Sequence, residues 1–99
     1  MGLFNATSSI MKINRLLKDL ENQITITQSL VERDVPASML NNSLNVLKSI
    51  HQQLIDTFSQ SSAARVAMFT IFGEKMQMDG ILTYSKNVIY NLYAIIQNQ

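Results

Sequence analysis

The chain has 99 residues, of which 46% are apolar and 15% charged, with a formal net charge of +1 and no cysteine. A chain of this length forms one domain with a single core, and its weak charge gives no general attraction to nucleic acid, which needs clustered lysine and arginine. The absence of cysteine excludes disulfides and thiolate metal sites, and no apolar stretch approaches the roughly 20 residues of a membrane-spanning helix. These features predict a cytoplasmic domain without a transmembrane segment.

The first predicted helix covers about residues 8–32. Its apolar residues recur every three or four positions, which places them along one face of a helix. Pro36 separates this helix from the next, because the residue before proline disfavours helix and proline suits a first helical turn. The apolar face consists of Ile10, Ile13, Leu16, Leu17, Leu20, Ile24 and Val31.

The second predicted helix covers about residues 36–59 and the third about residues 62–77. The third is apolar nearly all round between Ala63 and Phe72, which is typical of a helix that is buried on several sides or keeps an apolar face for a partner. Gly73 within it is expected to cost about 1 kcal/mol relative to alanine. The inner face of the second helix consists of Leu40, Leu44, Leu47, His51, Leu54 and Phe58.

The last predicted helix covers about residues 83–98, after a turn at Met78–Gly80. Glycine favours a turn there because it readily takes the positive φ that ends a helix. Short connections between four helices favour antiparallel neighbours. The sequence therefore predicts an all-α fold, an antiparallel up-down four-helix bundle with residues 1–99 as one domain and no sheet. The apolar face of the last helix consists of Val88, Ile89, Leu92, Ile95 and Ile96.

The sequence offers little material for catalysis or metal binding. His51 is the one histidine, and Asp56 lies off its face of the helix, so we expect a partly buried core histidine. The carboxylates that come in pairs are two residues apart, so they diverge on a helix, and basic neighbours make solvated charges the expectation. We predict no catalytic residue, no cofactor and no metal site. The pairs are Asp19 with Glu21 and Glu32 with Asp34.

Two groups of side chains leave alternatives open. The tyrosines of the last helix cannot all face a core that its aliphatic residues already fill, so they form either a contact surface, where tyrosine is common, or the edge of the bundle. Methionines fill irregular gaps or line adaptable grooves, and their positions here favour core filling. The tyrosines are Tyr84, Tyr90 and Tyr93, and the methionines are Met11, Met39, Met68, Met76 and Met78.

Two short segments suggest a family. Residues 79–83 read Asp-Gly-Ile-Leu-Thr before the last predicted helix, and residues 61–65 read Ser-Ser-Ala-Ala-Arg at the start of the third. In a short, cysteine-free, four-helix chain with a leucine-rich second helix, they resemble the immunity proteins of pediocin-like (class IIa) bacteriocins, the enterocin A immunity family. The similarity spans most of the chain. Leu82 follows Gly80 one residue earlier than in that family's turn, and family members carry a longer carboxy-terminal extension.

The resemblance implies that the protein protects a producer cell from a pore-forming bacteriocin. Members of the family act in the cytoplasm, near the membrane surface, on the mannose permease, a membrane sugar transporter, with its bound bacteriocin. We accordingly expect a monomer that is not an enzyme and has no nucleic-acid partner. The resemblance implies specificity in the carboxy-terminal half, where the candidate partner-binding residues are Arg65, Lys75, Tyr84, Lys86, Tyr90 and Tyr93.

Other interpretations remain open. The chain could be a small oligomeric adaptor or a regulatory protein of a mobile element, in which the apolar segment 63–72 self-associates. A nucleic-acid-binding regulator would use residues 36–59 as one arm of a helix-turn-helix, but Lys48 and Arg65 alone make a poor phosphate track. An enzyme is the least supported class, because no group of residues has suitable spacing.

Overall fold

The computed structural model describes the backbone of residues 2–99 and the side chains of residues 8–99. Within that range the chain forms three long helices, one short helix and a two-stranded hairpin. The predicted all-α class with four packed helices is confirmed, and the first helix begins six residues before the predicted start at about residue 8. The elements are α1 (Gly2–Glu32), α2 (Ala37–Ser59), α3 (Ser62–Val66), β1 (Phe69–Ile71), β2 (Glu74–Met76) and α4 (Met78–Gln97).

Helices α1 and α2 form an antiparallel pair around the main core. The chain reverses at residues 33–36, where Asp34 has φ 56°, a left-handed conformation that aspartate tolerates better than most residues. Gln23 of α1 donates a hydrogen bond to the Ser43 hydroxyl of α2 at 3.1 Å. The apolar faces predicted for both helices are buried together, chiefly through Ile13, Leu16, Leu17, Leu20, Ile24, Leu40, Leu44, Leu47, Leu54 and Phe58.

Helix α4 packs on α2 and runs antiparallel to it, so that α4 and α1 point in the same direction. The start of α4 lies close to the end of α2, because the side-chain amide of Gln77, the N-cap of α4, donates to the Val66 carbonyl of α3 at 2.9 Å. Helix α3 follows α2 almost directly. Farther along, Ile81 and Leu92 of α4 are buried in the shared core.

The predicted third helix, about residues 62–77, ends at Val66, so the predictions of a long third helix and of no sheet are both wrong. The segment that follows forms the antiparallel hairpin of β1 and β2, in which Thr70 lies opposite Lys75. Residues opposite each other in such a pair point to the same side of the sheet. The exposed side chains of Thr70 and Lys75 therefore share the outer face of the hairpin.

The hairpin forms because its sequence suits a strand better than a helix. Phe69 and Ile71 are buried while Thr70 between them is exposed, which is the alternation of a half-buried strand. Short apolar runs do not distinguish helix from strand by period alone. Aromatic and β-branched residues beside Gly73 favour the hairpin.

The hairpin turn consists of Phe72 and Gly73, which have φ values of 49° and 79°. Two positive φ values at the centre of a two-residue loop match the right-handed twist of a hairpin. Glycine adopts this conformation freely, whereas most other L-residues lose roughly 1–2 kcal/mol, with asparagine and aspartate the main exceptions. The Phe72 backbone N–H donates a hydrogen bond of 2.6 Å to the Glu21 carboxylate of α1, which fastens the turn to the main helix pair.

Helix α4 begins at Met78 rather than at about residue 83, so the predicted turn at Met78–Gly80 is wrong. Asp79 lies in the first helical turn, where its charge interacts favourably with the positive end of the helix dipole. A Cβ atom at Gly80 would lie 2.9 Å from the Cβ of Met76. Glycine is therefore needed there because β2 approaches α4 closely, and the segment that carries the family resemblance is helical.

Candidate partner-binding surfaces

Three of the predicted contact residues, Lys86, Tyr90 and Tyr93, lie on one exposed side of α4, here called the tyrosine face. Their spacing of four and three residues places them side by side on a helix. Tyr90 is 59% exposed and Tyr93 is 51% exposed. The Lys86 Nζ lies 5.7 Å from the centre of the Tyr90 ring, within the range of cation–π attraction. The tyrosine face thus presents two aromatic rings and a positive charge to solvent.

The other three predicted contact residues lie elsewhere. Arg65 is exposed on α3, and Lys75 is exposed on the outer face of the hairpin. Tyr84 is half-buried on the side of α4 that faces α1. The expectation that the core cannot absorb every tyrosine is confirmed for Tyr90 and Tyr93, and the single predicted surface is divided among three places.

Tyr84 belongs to an open groove between α1 and α4, here called the α1–α4 groove, with a volume of about 500 Å³. Sites for small ligands fall in the range of roughly 300–1,000 Å³. The sequence does not indicate the groove, because its pattern predicts a long third helix beside the fourth. The lining residues are Ile24, Thr27, Gln28, Val31 and Glu32 of α1, and Tyr84, Val88, Asn91, Leu92 and Ile95 of α4.

His51 is half-buried between α2 and α4, as predicted, and its Nδ1 is hydrogen-bonded to the hydroxyl of Ser85. The Ser85 hydroxyl donates to the Leu82 carbonyl at 3.2 Å, so its oxygen accepts from the Nδ1–H of the imidazole. Burial, and to a smaller extent the charge of Lys86, lowers the pKa of His51 below its usual 6.5. The neutral imidazole is favoured and links α2 to α4. Among the side chains of residues 8–99, no group of three or more histidine and acidic residues could hold a metal ion.

The methionines do not all fill the core. Met11, Met39 and Met68 are exposed, so the prediction of core filling is wrong for them, whereas Met76 and Met78 pack against the core. The sequence pattern places all five of these methionines in the interior, but three of the five lie on the surface.

Comparisons of the chain with protein-family models, with curated proteins and with solved structures gave no match. Along residues 2–99, none of the helices combines the length and the apolar character needed to span a bilayer. Function is therefore inferred from the residues and their geometry.

Proposed function

We propose that this protein is a bacteriocin immunity protein that works by binding, with the tyrosine face of α4 as its contact surface. One observation carries the proposal: Tyr90 and Tyr93 are both more than half exposed, beside Lys86, on one side of a regular helix. Tyrosine is enriched at the centres of protein interfaces, where truncation of a well-packed side chain costs about 2 kcal/mol or more. Such a role needs no catalytic group.

The resemblance to the pediocin-like immunity proteins supplies the proposed partner. The protein would act in the cytoplasm, at the inner side of the mannose permease while the bacteriocin is bound to it. The tyrosine rings are suited to this location, because they combine an apolar body with a hydroxyl that stays hydrated at a membrane-proximal surface. The cation–π contact of Lys86 with Tyr90, worth about 0.5–1 kcal/mol at an exposed site, limits the motion of the ring before binding.

A protection assay tests this proposal. A susceptible host that expresses the chain is challenged with a panel of pediocin-like peptides, and we expect survival against at least one of them. The double substitution Lys86→Ala with Tyr90→Ala is expected to abolish protection, because it removes the charge and the central ring. Circular dichroism and thermal unfolding should show that this variant keeps the fold, since both side chains are exposed.

The matched control is Lys48→Ala with Gln52→Ala, which removes one lysine and one neighbouring exposed side chain from α2. It should protect as the unchanged protein does. Full protection by the Lys86 and Tyr90 variant would show that the tyrosine face is the wrong surface. Failure of the unchanged chain against every peptide in the panel would contradict the immunity role.

A second candidate function, a small oligomeric adaptor, is favoured by the exposed apolar side chains Val66, Met68 and Phe72 around α3 and the hairpin. Exposed apolar side chains that lie together are typical of protein contact surfaces. Sedimentation separates the two functions. A monomer at low micromolar concentration supports the immunity role, and a tight dimer that Phe72→Ser dissociates supports the adaptor.

A further inference from the structure

The α1–α4 groove occupies the place that a fourth long helix takes in a complete bundle. Helices α1 and α4 each pack along α2, and the short α3 does not extend between them. The floor of the groove is aliphatic, with Ile24 and Leu92 buried and Val31 and Val88 half-buried. Ile95 is 37% exposed at the rim. An added amphipathic helix would cover the apolar side chains that the fold leaves accessible.

One end of the groove is electronegative. Because α1 and α4 run in the same direction, the negative ends of both helix dipoles lie at the same end of the groove. Neither helix has a basic residue in its last turn. Glu32 adds a full negative charge to the lining there, and the charges of Arg33 and Asp34, which follow directly, offset each other.

We propose that the α1–α4 groove binds an amphipathic helix of a partner protein that runs antiparallel to α1 and α4, with its amino-terminal turn and a basic side chain next to Glu32. The direction follows from the dipoles, because the positive end of the bound helix then meets two negative ends. The apolar floor receives side chains spaced at three, four and seven residues, as in other helix-in-groove contacts. The amides of Gln28 and Asn91 are placed to hydrogen-bond polar residues along its edges.

A second copy of this chain does not meet these requirements. The first turns of α2 and α4 contain no basic residue, and the apolar faces of both helices are already buried in the core. The groove lies on the opposite side of α4 from the tyrosine face, since Tyr84, Val88 and Ile95 are about half a helical turn from Lys86, Tyr90 and Tyr93. The proposal is therefore independent of the proposed immunity role.

The test uses two labelled synthetic peptides of about 15 residues, a length at which isolated helices are marginally stable. Both have the same composition and a leucine face at helical spacing, but one carries its lysines in the first turn and the other in the last turn. Fluorescence anisotropy measures their binding to the full chain. The peptide with amino-terminal lysines should bind about threefold to tenfold more tightly, because only it combines charge attraction to Glu32 with the favourable dipole direction.

The substitution Ile95→Lys should weaken binding of the peptide with amino-terminal lysines by about tenfold or more. It removes an aliphatic side chain that the bound peptide would cover, and it adds a charge that repels those lysines. Thr83→Lys is the matched control: it adds the same charge at an exposed position near the amino end of α4, outside the groove lining, and should change the Kd by less than about twofold. Circular dichroism on both variants checks that the helices are intact.

Three results of the binding assay would overturn the proposal. They are no binding of either peptide near 1 mM, about the weakest affinity of interest, equal affinity for the two lysine placements, and unchanged binding by the Ile95→Lys variant. Sedimentation of the chain alone tests for the other possible occupant of the groove, a second copy of the chain. A dimer that Ile95→Lys dissociates would show that a second copy fills the groove, which also contradicts the proposal. None of these measurements depends on protection in cells, so failure here is separable from failure of the immunity role.

Discussion

Helix α1 meets the two other long helices in different ways. Along α2 the contact is closed, with Leu16, Leu20 and Leu47 almost completely removed from solvent. Along α4 the contact stays open, and side chains such as Val88 and Ile95 remain accessible in the groove. The same helix therefore supplies stability on one side and an accessible apolar surface on the other. In this fold the closed contact holds the structure, and the open contact is available for binding.

The largest expected effect comes from truncating the closed contact. Leu47→Ala should lower the free energy of unfolding by about 2–5 kcal/mol, because it removes a fully buried side chain and leaves a cavity. Val88→Ala in the groove should cost about 1 kcal/mol or less, since that side chain is only half-buried and the space is already open. Urea unfolding followed by circular dichroism measures both. Equal losses for the two variants would mean that the groove is closed in solution.

The hairpin provides an intermediate test, because Phe69 and Ile71 anchor it in the core while its turn contains two positive φ values. Phe72→Asn should raise the free energy of unfolding by about 1 kcal/mol, since asparagine followed by glycine is the preferred pair for a turn with two positive φ values. Gly73→Ala should lower it by about 1–2 kcal/mol, because alanine is strained at φ 79°. Thermal unfolding of both variants checks the opposite signs.

The Glu21→Gln variant is the control for the hairpin, because glutamine keeps an acceptor for the Phe72 N–H but loses the charge. It should cost less than about 1 kcal/mol, the usual value of one neutral hydrogen bond. A lower free energy of unfolding for Phe72→Asn would mean that packing of the phenyl ring stabilises the fold by more than the positive φ of Phe72 destabilises it.

The three long helices could be predicted from the sequence because each carries a helical period over most of its length, but α1 and α4 begin six and five residues before their predicted starts. Leu40, Leu44, Leu47 and Leu54 lie at helical spacing and are buried as expected. The segment from Phe69 to Met76 could not be assigned in the same way, because its apolar residues satisfy both a helix and a strand. Whether this segment forms a hairpin or a helix depends on tertiary contacts, namely its packing against α1 and its close approach to Gly80.

The candidate surfaces were predictable to a lesser extent. The excess of tyrosines in the last helix indicated the exposed Tyr90 and Tyr93 without any structure. The α1–α4 groove was not predictable, because it exists only where a third long helix is missing. A sequence pattern identifies residues that face inward, but it does not show whether an element is present to cover them.

The smallest expected effect is a pH dependence located in the contact between α2 and α4. The pKa of His51 in the folded protein is lowered from 6.5 by burial and by Lys86, so near that pH the unfolded chain binds more protons than the folded one. The contribution of His51 to the free energy of unfolding is therefore fully present above pH 6.5, and it is lost as the pH falls through the lowered pKa of the folded protein. The α1–α2 contact has a neutral counterpart, the hydrogen bond from Gln23 to Ser43, which does not titrate.

Urea unfolding at about pH 7.5 and about pH 5.5, on either side of the ordinary histidine pKa, measures this difference. The unchanged protein should lose stability at the lower pH, and His51→Gln should lose less, because glutamine retains a donor for the Ser85 hydroxyl but cannot be protonated. Gln23→Ala should lower stability by a similar amount at both pH values, since the hydrogen bond it removes is uncharged. An identical pH response in the unchanged protein and in His51→Gln would place the titrating group outside the α2–α4 contact, and the difference between the two sides of the core would then be one of packing alone.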